Sequence, residues 1–431
     1  MKTILIKNGR VIDPGSNLDR IADILIVDGV VKEIKKNIVK KPSYEAIDAR
    51  KKIVTPGFID MHTHLREPGR EDEETILTGT KAACKGGFTS VVCMANTDPP
   101  IDDVGIVRLI FRCAEEAGFA KVYPVGAVSK GLKGEELAEI GDLYRAGIVA
   151  VSDDGMPVTN SEIMRRALEY TNMFDIPVIS HCEDRFLCER GVMNEGYTST
   201  RLGLEGIPSV SEVIMVARNI ILAEYTKGRI HIAHVSTAES VNLIRDAKKR
   251  KVKVTAETAP HYFTLTDELV ESFDTNLRVN PPLRSKEDLS AIVEGLKDGT
   301  IDVIATDHAP HTKAEKEVEF DAAPTGMIGL ETALGLILTQ LIEKSHLTLP
   351  KAISKITLNP SSILKIKGGI IKLGEMADIT IFDPEFEWEC NPNEFESKSK
   401  NTPFKGWKMK GRVEYVIVSG RIVLKDGKIV V

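Results

Sequence analysis

The sequence predicts an α/β fold, a (β/α)8 TIM-type barrel carrying a small β-sandwich module built from both chain ends, and three observations predict it. Apolar runs of strand length alternate with amphipathic stretches of helix length between about Pro56 and Pro360, the pattern of a parallel sheet whose strands return through helices. So many such units argue closure into a barrel. Outside that stretch, at both ends, the pattern changes to short alternating segments punctuated by turn residues. At 431 residues the chain exceeds one ordinary core. Residues 1–55 and 361–431 are therefore assigned to a composite β-sandwich module and 56–360 to the barrel.

At the N-terminus, residues 3–7, 23–27 and 30–34 alternate apolar and polar side chains, with turn signals at Asn8-Gly9, Pro14-Gly15 and Asp28-Gly29. They predict a small antiparallel unit. The barrel strands are expected at 90–94, 148–152, 177–180, 230–235, 252–256 and 301–305, after a first strand ending near Asp60. Helices are expected at 103–117, 161–174, 210–225 and 239–250. Strand character returns at 374–383, 413–418, 421–424 and 428–431, with turns at Ser419-Gly420 and Asp426-Gly427.

Composition narrows the function class. Apolar residues are 42% and charged residues 28%, the profile of a soluble globular protein. The net charge of -6 comes from 63 acids and 57 bases spread without a basic block, so nucleic acid is not an expected partner. No run approaches membrane-spanning length and the N-terminus lacks a signal-peptide core, which excludes a membrane and predicts a cytoplasmic protein. Cys84, Cys93, Cys113, Cys182, Cys188 and Cys390 form no Cys-x-x-Cys pair and read as free thiols in a reducing compartment.

Barrel enzymes build their sites at the C-terminal ends of the strands, and here those ends collect His62 and His64, Asn96, Asp153-Asp154, His181, His234, and Asp307-His308 with His311. His62 and His64 are two residues apart and share a strand face, half of a metal site. Arg66 would share that face if the extended geometry continued, adding a planar fork suited to an anion. Four imidazoles with one or two carboxylates suit a borderline metal such as zinc. His231, three residues before His234, faces the other way and reads as structural, and His346 reads as solvated.

Seven segments carry a resemblance: His62-Thr63-His64-Leu65-Arg66-Glu67-Pro68-Gly69, Met94-Ala95-Asn96-Thr97-Asp98-Pro99-Pro100, Ser152-Asp153-Asp154-Gly155, His181-Cys182-Glu183-Asp184, His234-Val235-Ser236-Thr237, Arg278-Val279-Asn280-Pro281-Pro282-Leu283-Arg284 and Ala305-Thr306-Asp307-His308-Ala309-Pro310-His311. In this order the chain resembles the bacterial class I dihydroorotases of the amidohydrolase superfamily. The resemblance implies that His62, His64 and Asp307 hold one metal, that His181 and His234 hold a second, and that Asp154 bridges them. Sequence alone leaves Asp153 open as the bridge. Many relatives bridge with a carboxylated lysine; residues 150–155 contain none, as in class I.

It further implies one or two Zn2+ per subunit and Asp307 as the catalytic proton carrier. The implied substrate-binding residues are His64, Arg66, Asn96, Asn280, His311, Thr325 and Gly326. Arg66, Asn96 and His311 would surround a carboxylate, and Asn280 with the backbone of Thr325 and Gly326 would meet the ring amides. The implied reaction is the reversible cyclisation of N-carbamoyl-L-aspartate to (S)-dihydroorotate plus water in pyrimidine synthesis. Expected partners are that small-molecule substrate, further copies of the chain in a homo-oligomer, and aspartate carbamoyltransferase. The alternatives are a hydantoinase, dihydropyrimidinase or allantoinase and, from another class, an inactive scaffold subunit, which would be expected to have lost ligands. The charged segment 312–324, directly after His311, reads as a solvated loop for most of its residues and as a lid over the substrate by its position.

Overall fold

In the computed structural model residues 3–188 and 190–430 are described; Met1, Lys2, Glu189 and Val431, the last of these ending the expected segment 428–431, lie outside the described residues. Strand β1 (Thr3–Asp13) pairs antiparallel with β2 (Leu18–Val27), and β2 with β3 (Val30–Lys35). The expected reversal at Asn8-Gly9 does not occur. Asn8 takes a left-handed φ of 64°, the β1–β2 register shifts between Ile6 and Gly9, and the strand runs on to Asp13. The local preference of Asn-Gly is spent on a bulge, held by the Asn8 amide donating to Asp23 Oδ1 at 2.8 Å. Nor is the unit purely antiparallel: β4 (Glu45–Asp48) and β5 (Ile53–Pro56) run parallel to β1.

The barrel follows directly. β6 (Phe58–Thr63), β7 (Phe88–Cys93) and β8 (Lys121–Pro124) form one parallel group. After β9 (Val178–Ser180), a two-residue pair β10 (Met193–Asn194) and β11 (Gly206–Ile207) stands aside. β12 (Ile230–Ile232), β13 (Val254–Thr258) and β14 (Val303–Ile304) complete a second parallel group in the order β14-β13-β12-β9. Single parallel bridges join the groups into a ring, Gly126 to Val151 and Val151 to Val178 on one side, Thr63 to His308 on the other. The expected strand 148–152 is thus reduced to one bridging residue, the eighth stave, although Val149 and Ser152 still donate across to Pro124 O and Gly126 O. Met61, Val92, Met94, Val125, Ala150, Ile179, Ala233, Val303 and Ala305 fill the interior together with Ile363 and Leu364 of helix Leu358–Leu364. Each of the buried Met, Val, Ile and Leu side chains contributes about 1.5–3 kcal/mol, so the barrel is a packed core and chemistry is confined to its rim.

The four expected helices form as Val104–Ala117, Ser161–Asn172, Val210–Thr226 and Ala238–Lys249. Asp103 and Thr237 stand as N-caps that accept backbone amides, which satisfies donors the first turn leaves free.

The C-terminal strands β15 (Ile379–Glu389), β16 (Lys408–Val418), β17 (Arg421–Lys425) and β18 (Lys428–Ile429) join those of the N-terminus in one sheet, because β5 lies between β15 and β1. Ile4, Ile6, Ile24, Ile26, Val54, Ile379, Ile381 and Ile417 pack into one cluster drawn from both ends. Between β15 and β16 the chain returns to the barrel rim. Ser397 donates to Glu74, Ser399 Oγ to the Glu73 carbonyl at 2.6 Å, and Asn401 Oδ1 accepts the His311 amide at 3.1 Å. Among the described residues no helix is long and apolar enough to cross a membrane.

Candidate active site

His62, His64, Asp154, His181, His234 and Asp307 converge above the ring. β6 ends with His62 and Thr63, and the His62 and His64 rings lie 5.3 Å apart. His64 Nε2 stands 3.2 Å from Asp307 Oδ1 and 3.5 Å from Asp154 Oδ2; His62 Nε2 is 3.4 Å from Asp154 Oδ2 and 3.5 Å from Asp307 Oδ1. His181 Nδ1 meets His234 Nε2 at 2.8 Å, and these nitrogens lie 3.9 and 3.7 Å from Asp154 Oδ1. Asp153 points elsewhere: its carboxylate accepts the amides of Val128 and Ser129 and the Ser129 hydroxyl. The two adjacent aspartates thus part, Asp154 joining the cluster and Asp153 tied to the backbone of Val128 and Ser129. His234 and Asp307 hold left-handed φ values of 31° and 50°, conformations that cost on the order of 1–3 kcal/mol and persist where surroundings impose them.

Charge explains how this buried cluster stays polar. Burial opposes a charged His62, yet the charges of Asp154, Glu257 and Asp307 outweigh it and hold the imidazole well above its ordinary value. Burial likewise opposes ionised Asp154 and Asp307, and the neighbouring histidines, His62 foremost, pull both carboxyls well below the usual range. The cluster therefore demands positive charge at its centre. Its donor atoms also fit a divalent cation. Ligand atoms of His62, His64 and Asp307 lie within 4.8 Å of one another, as do those of His62, Asp154 and His234. His62 Nε2 and Asp154 Oδ1, which face the cluster, are buried without a hydrogen-bond partner, a costly state that a metal would relieve.

Beside the cluster opens a cavity of about 450 Å3 lined by His64, Arg66, Asn96, Asp154, Asn280 and His311 among others. Arg66 does not continue the strand geometry, since its φ is 63°. It nevertheless reaches the cavity, with Nε donating to Pro310 O at 3.1 Å and Nη2 3.3 Å from His311 Nε2. Asn96 Oδ1 accepts from His64 Nδ1 at 2.9 Å, and Asn280 Nδ2 faces His181 Nε2 at 3.5 Å. Gly326 has a φ of 139°, and a Cβ there would meet Ala309 Cβ at 2.7 Å and His311 Nε2 at 3.1 Å, so only glycine lets the backbone of 325 and 326 form this wall. His308 turns away from the cluster to Glu74 Oε2 at 3.3 Å and accepts the Gly329 amide at 3.2 Å. Segment 312–324 is no uniformly solvated loop: Lys313–Lys316 is a helical turn, and Lys316, Phe320 and Ala323 are buried.

Three carboxylates at the site escape sequence reasoning. Glu257 receives His62 Nδ1 at 2.5 Å and lies 3.2 Å from His231 Nε2; period-two alternation at the end of an apolar strand was its only signal. His231 thus faces away from the cavity but supports it. Glu183 lies 3.5 Å from His181 Nε2. Glu73 joins Arg66 and His311. With Glu315 and His311 it forms a third acid–imidazole group, but Arg66 and Arg70 already supply its positive charge. Carboxylates behind metal-ligating imidazoles fix the tautomer and raise basicity. Glu257→Gln is therefore expected to lower metal affinity by about 10- to 100-fold, measured by competition with a chromogenic chelator; unchanged retention would remove Glu257 from that role.

Residues 51–240 match a family model described as dihydro-orotase-like. The chain is 56% identical over 423 residues to a dihydroorotase of Acetivibrio thermocellus, spanning 98% of this chain and 99% of the relative. It is 54% identical over 422 residues to a dihydroorotase of Ruminiclostridium cellulolyticum, spanning 98% of each. Among solved structures, an L-hydantoinase (dihydropyrimidinase) from Arthrobacter aurescens superimposes with a TM-score of 0.91 at 24% identity over 100% of this chain and 98% of that one. A D-hydantoinase from Thermus sp. gives 0.84 at 24% identity over 99% and 96%. At that identity the structural likeness concerns the fold.

Proposed function

The chain belongs to the dihydroorotase family, and from that premise we propose that it is a dihydroorotase, interconverting N-carbamoyl-L-aspartate and (S)-dihydroorotate plus water in de novo pyrimidine synthesis. The observation that carries this reading is one cavity holding both a histidine–carboxylate cluster and, beside it, the Arg66 guanidinium next to His311. A cyclic ureide bearing its own carboxylate needs both halves; a plain hydantoin needs only the first.

In this reading His62, His64 and Asp307 hold one divalent ion, His181 and His234 a second, and Asp154 lies between, with Zn2+, one or two per subunit, as the metal. Bound there, such ions lower the pKa of water and polarise a carbonyl. Arg66, Asn96 and His311 seat the substrate carboxylate, and Asn280 with the backbone of Thr325 and Gly326 takes the ring amides. Asp307, kept ionised by the surrounding imidazoles, accepts the proton of the water that adds to the ring carbonyl. It then delivers that proton to the ring nitrogen as the C–N bond breaks. Cyclisation is the same sequence reversed: Asp307 takes the proton of the ureido nitrogen as it attacks the side-chain carboxyl and returns it to the departing oxygen. The segment 312–324 closes over the bound ring and excludes water.

The same reading places the enzyme in the cytoplasm as a homo-oligomer, associated with aspartate carbamoyltransferase. It assigns residues 1–55 and 361–431 to one module and 56–360 to the catalytic barrel. Assay of the purified protein with dihydroorotate and with hydantoin, alongside elemental analysis, tests it. Preference for dihydroorotate with zinc bound is expected; preference for hydantoin would replace the reading, and inactivity on both with metal bound would favour a scaffold.

A further inference from the structure

Glu73 occupies a charged stretch, Arg70-Glu71-Asp72-Glu73-Glu74, yet it is buried to 1% exposure. Its two oxygens are divided between two partners at the cavity. Oε2 lies 2.8 Å from Arg66 Nε, and Oε1 lies 2.8 Å from His311 Nδ1 and 3.0 Å from Arg70 Nη2. Its own backbone is fixed from the far end of the chain, where Ser399 Oγ donates to the Glu73 carbonyl.

This division orients both partners. Arg66 Nε donates to Pro310 O and sits as a close charge pair against Glu73 Oε2, which takes no hydrogen bond of its own, and this placement turns Nη2 toward His311 at the cavity. With Nδ1 engaged by Glu73, His311 turns Nε2 toward the cavity, 3.3 Å from Arg66 Nη2 and 2.9 Å from Thr325 O. A carboxylate suits this place because one oxygen accepts from His311 and Arg70 while the other sets its charge against the Arg66 guanidinium. Its charge carries an opposing cost, since an anion behind the clamp weakens the pull on an anionic ligand. Arg70 offsets that cost by facing Glu73 and Glu315, the latter at 2.5 Å.

We propose that Glu73 is the positioning residue that aims Arg66 and His311 as one clamp on the substrate carboxylate, so that it sets selectivity for a carboxylate-bearing ring over an uncharged one. The inference rests on the reading of Arg66 and His311 as carboxylate ligands. Glutamine at position 73 can keep an acceptor for His311 but removes the charge facing Arg66 and turns an amide N–H2 toward that cation, which loosens the Arg66 arm of the clamp.

The test compares wild type with Glu73→Gln, Glu73→Asp and Arg66→Ala as metal-loaded enzymes, reading kcat and KM for dihydroorotate and the inhibition constant of dihydrouracil, the same ring without the carboxylate. For Glu73→Gln, KM is expected to rise about tenfold from the loss of one close charge pair, with kcat within about threefold and dihydrouracil inhibition unchanged. Glu73→Asp should recover part of the loss. A fall in KM would show that charge outweighs aim and overturn the proposal. Parallel weakening of dihydrouracil would assign Glu73 a merely structural role and overturn it too. If Arg66→Ala also left KM unchanged, the clamp reading itself would fail; a large effect of Arg66→Ala with none of Glu73→Gln would sink the positioning role alone.

Discussion

Asp307→Asn is expected to lower kcat about a thousandfold, within the range that a positioned proton carrier supplies, while thermal unfolding and circular dichroism stay close to wild type. The asparagine keeps the shape and one acceptor oxygen, so the contacts at 3.2 Å to His64 and 3.5 Å to His62 can be retained without a cavity or a clash. What it loses is the ability to accept and return a proton. The loss should appear in kcat with KM changed much less, because ring binding is assigned to other residues. Measuring metal content of the variant separates a missing proton carrier from a missing ligand. Turnover close to wild type, with metal bound, would end the role assigned to Asp307.

Removal of metal by a chelator is expected to abolish activity to background and to lower Tm by several degrees, both restored by zinc. A ligand present at a thousandfold over its dissociation constant stabilises the folded state by about 4 kcal/mol. The physical ground is the cluster itself: unpartnered polar atoms of His62 and Asp154, buried together, cost free energy that a cation recovers. The sign of the pH dependence follows. Metal must displace protons from imidazole and carboxyl ligands, so affinity and the associated stabilisation fall as pH drops through the histidine range. Calorimetric scans with and without chelator between pH 8 and pH 5 should converge toward the acid end. Full activity after complete metal removal, verified by elemental analysis, would refute the assignment.

Much of the barrel is legible because period-two and period-3.6 patterns depend on neighbours a few residues away. The helices at 104–117 and 238–249 appear where the spacing predicts them, with Asp103 and Thr237 as caps. The strand at 148–152 is not legible as one bridging residue, because Val151 needs only its two neighbours across the ring, a fact of closure rather than of propensity. Asn8-Gly9 fails in the same way: its left-handed preference is read correctly, but pairing with β2 turns a reversal into a bulge.

The site divides along the same line. His62, His64, Asp154, His181, His234 and Asp307 are visible as polar residues at the ends of apolar runs, and the family motifs order them. Glu73 is not visible, since it stands in the uninterrupted charged run Arg70-Glu71-Asp72-Glu73-Glu74, where nothing local marks one carboxylate from the next. It is buried because the excursion between β15 and β16, more than 300 positions later, lays Ser397, Ser399 and Asn401 against it and its neighbours.

By itself, then, the sequence determined the barrel, the sheet shared by both ends, the metal-type donor set and the family, all carried by local periodicity and contiguous motifs. The tertiary structure alone decided that Asp154 and not Asp153 faces the histidines, that His308 turns away, and that Glu257, Glu183 and Glu73 stand behind the site. The reason is physical: which way a side chain points after a strand ends, and whether a carboxylate is buried, depend on contacts between segments far apart in the chain, and adjacent residues of one type carry no local sign of that choice.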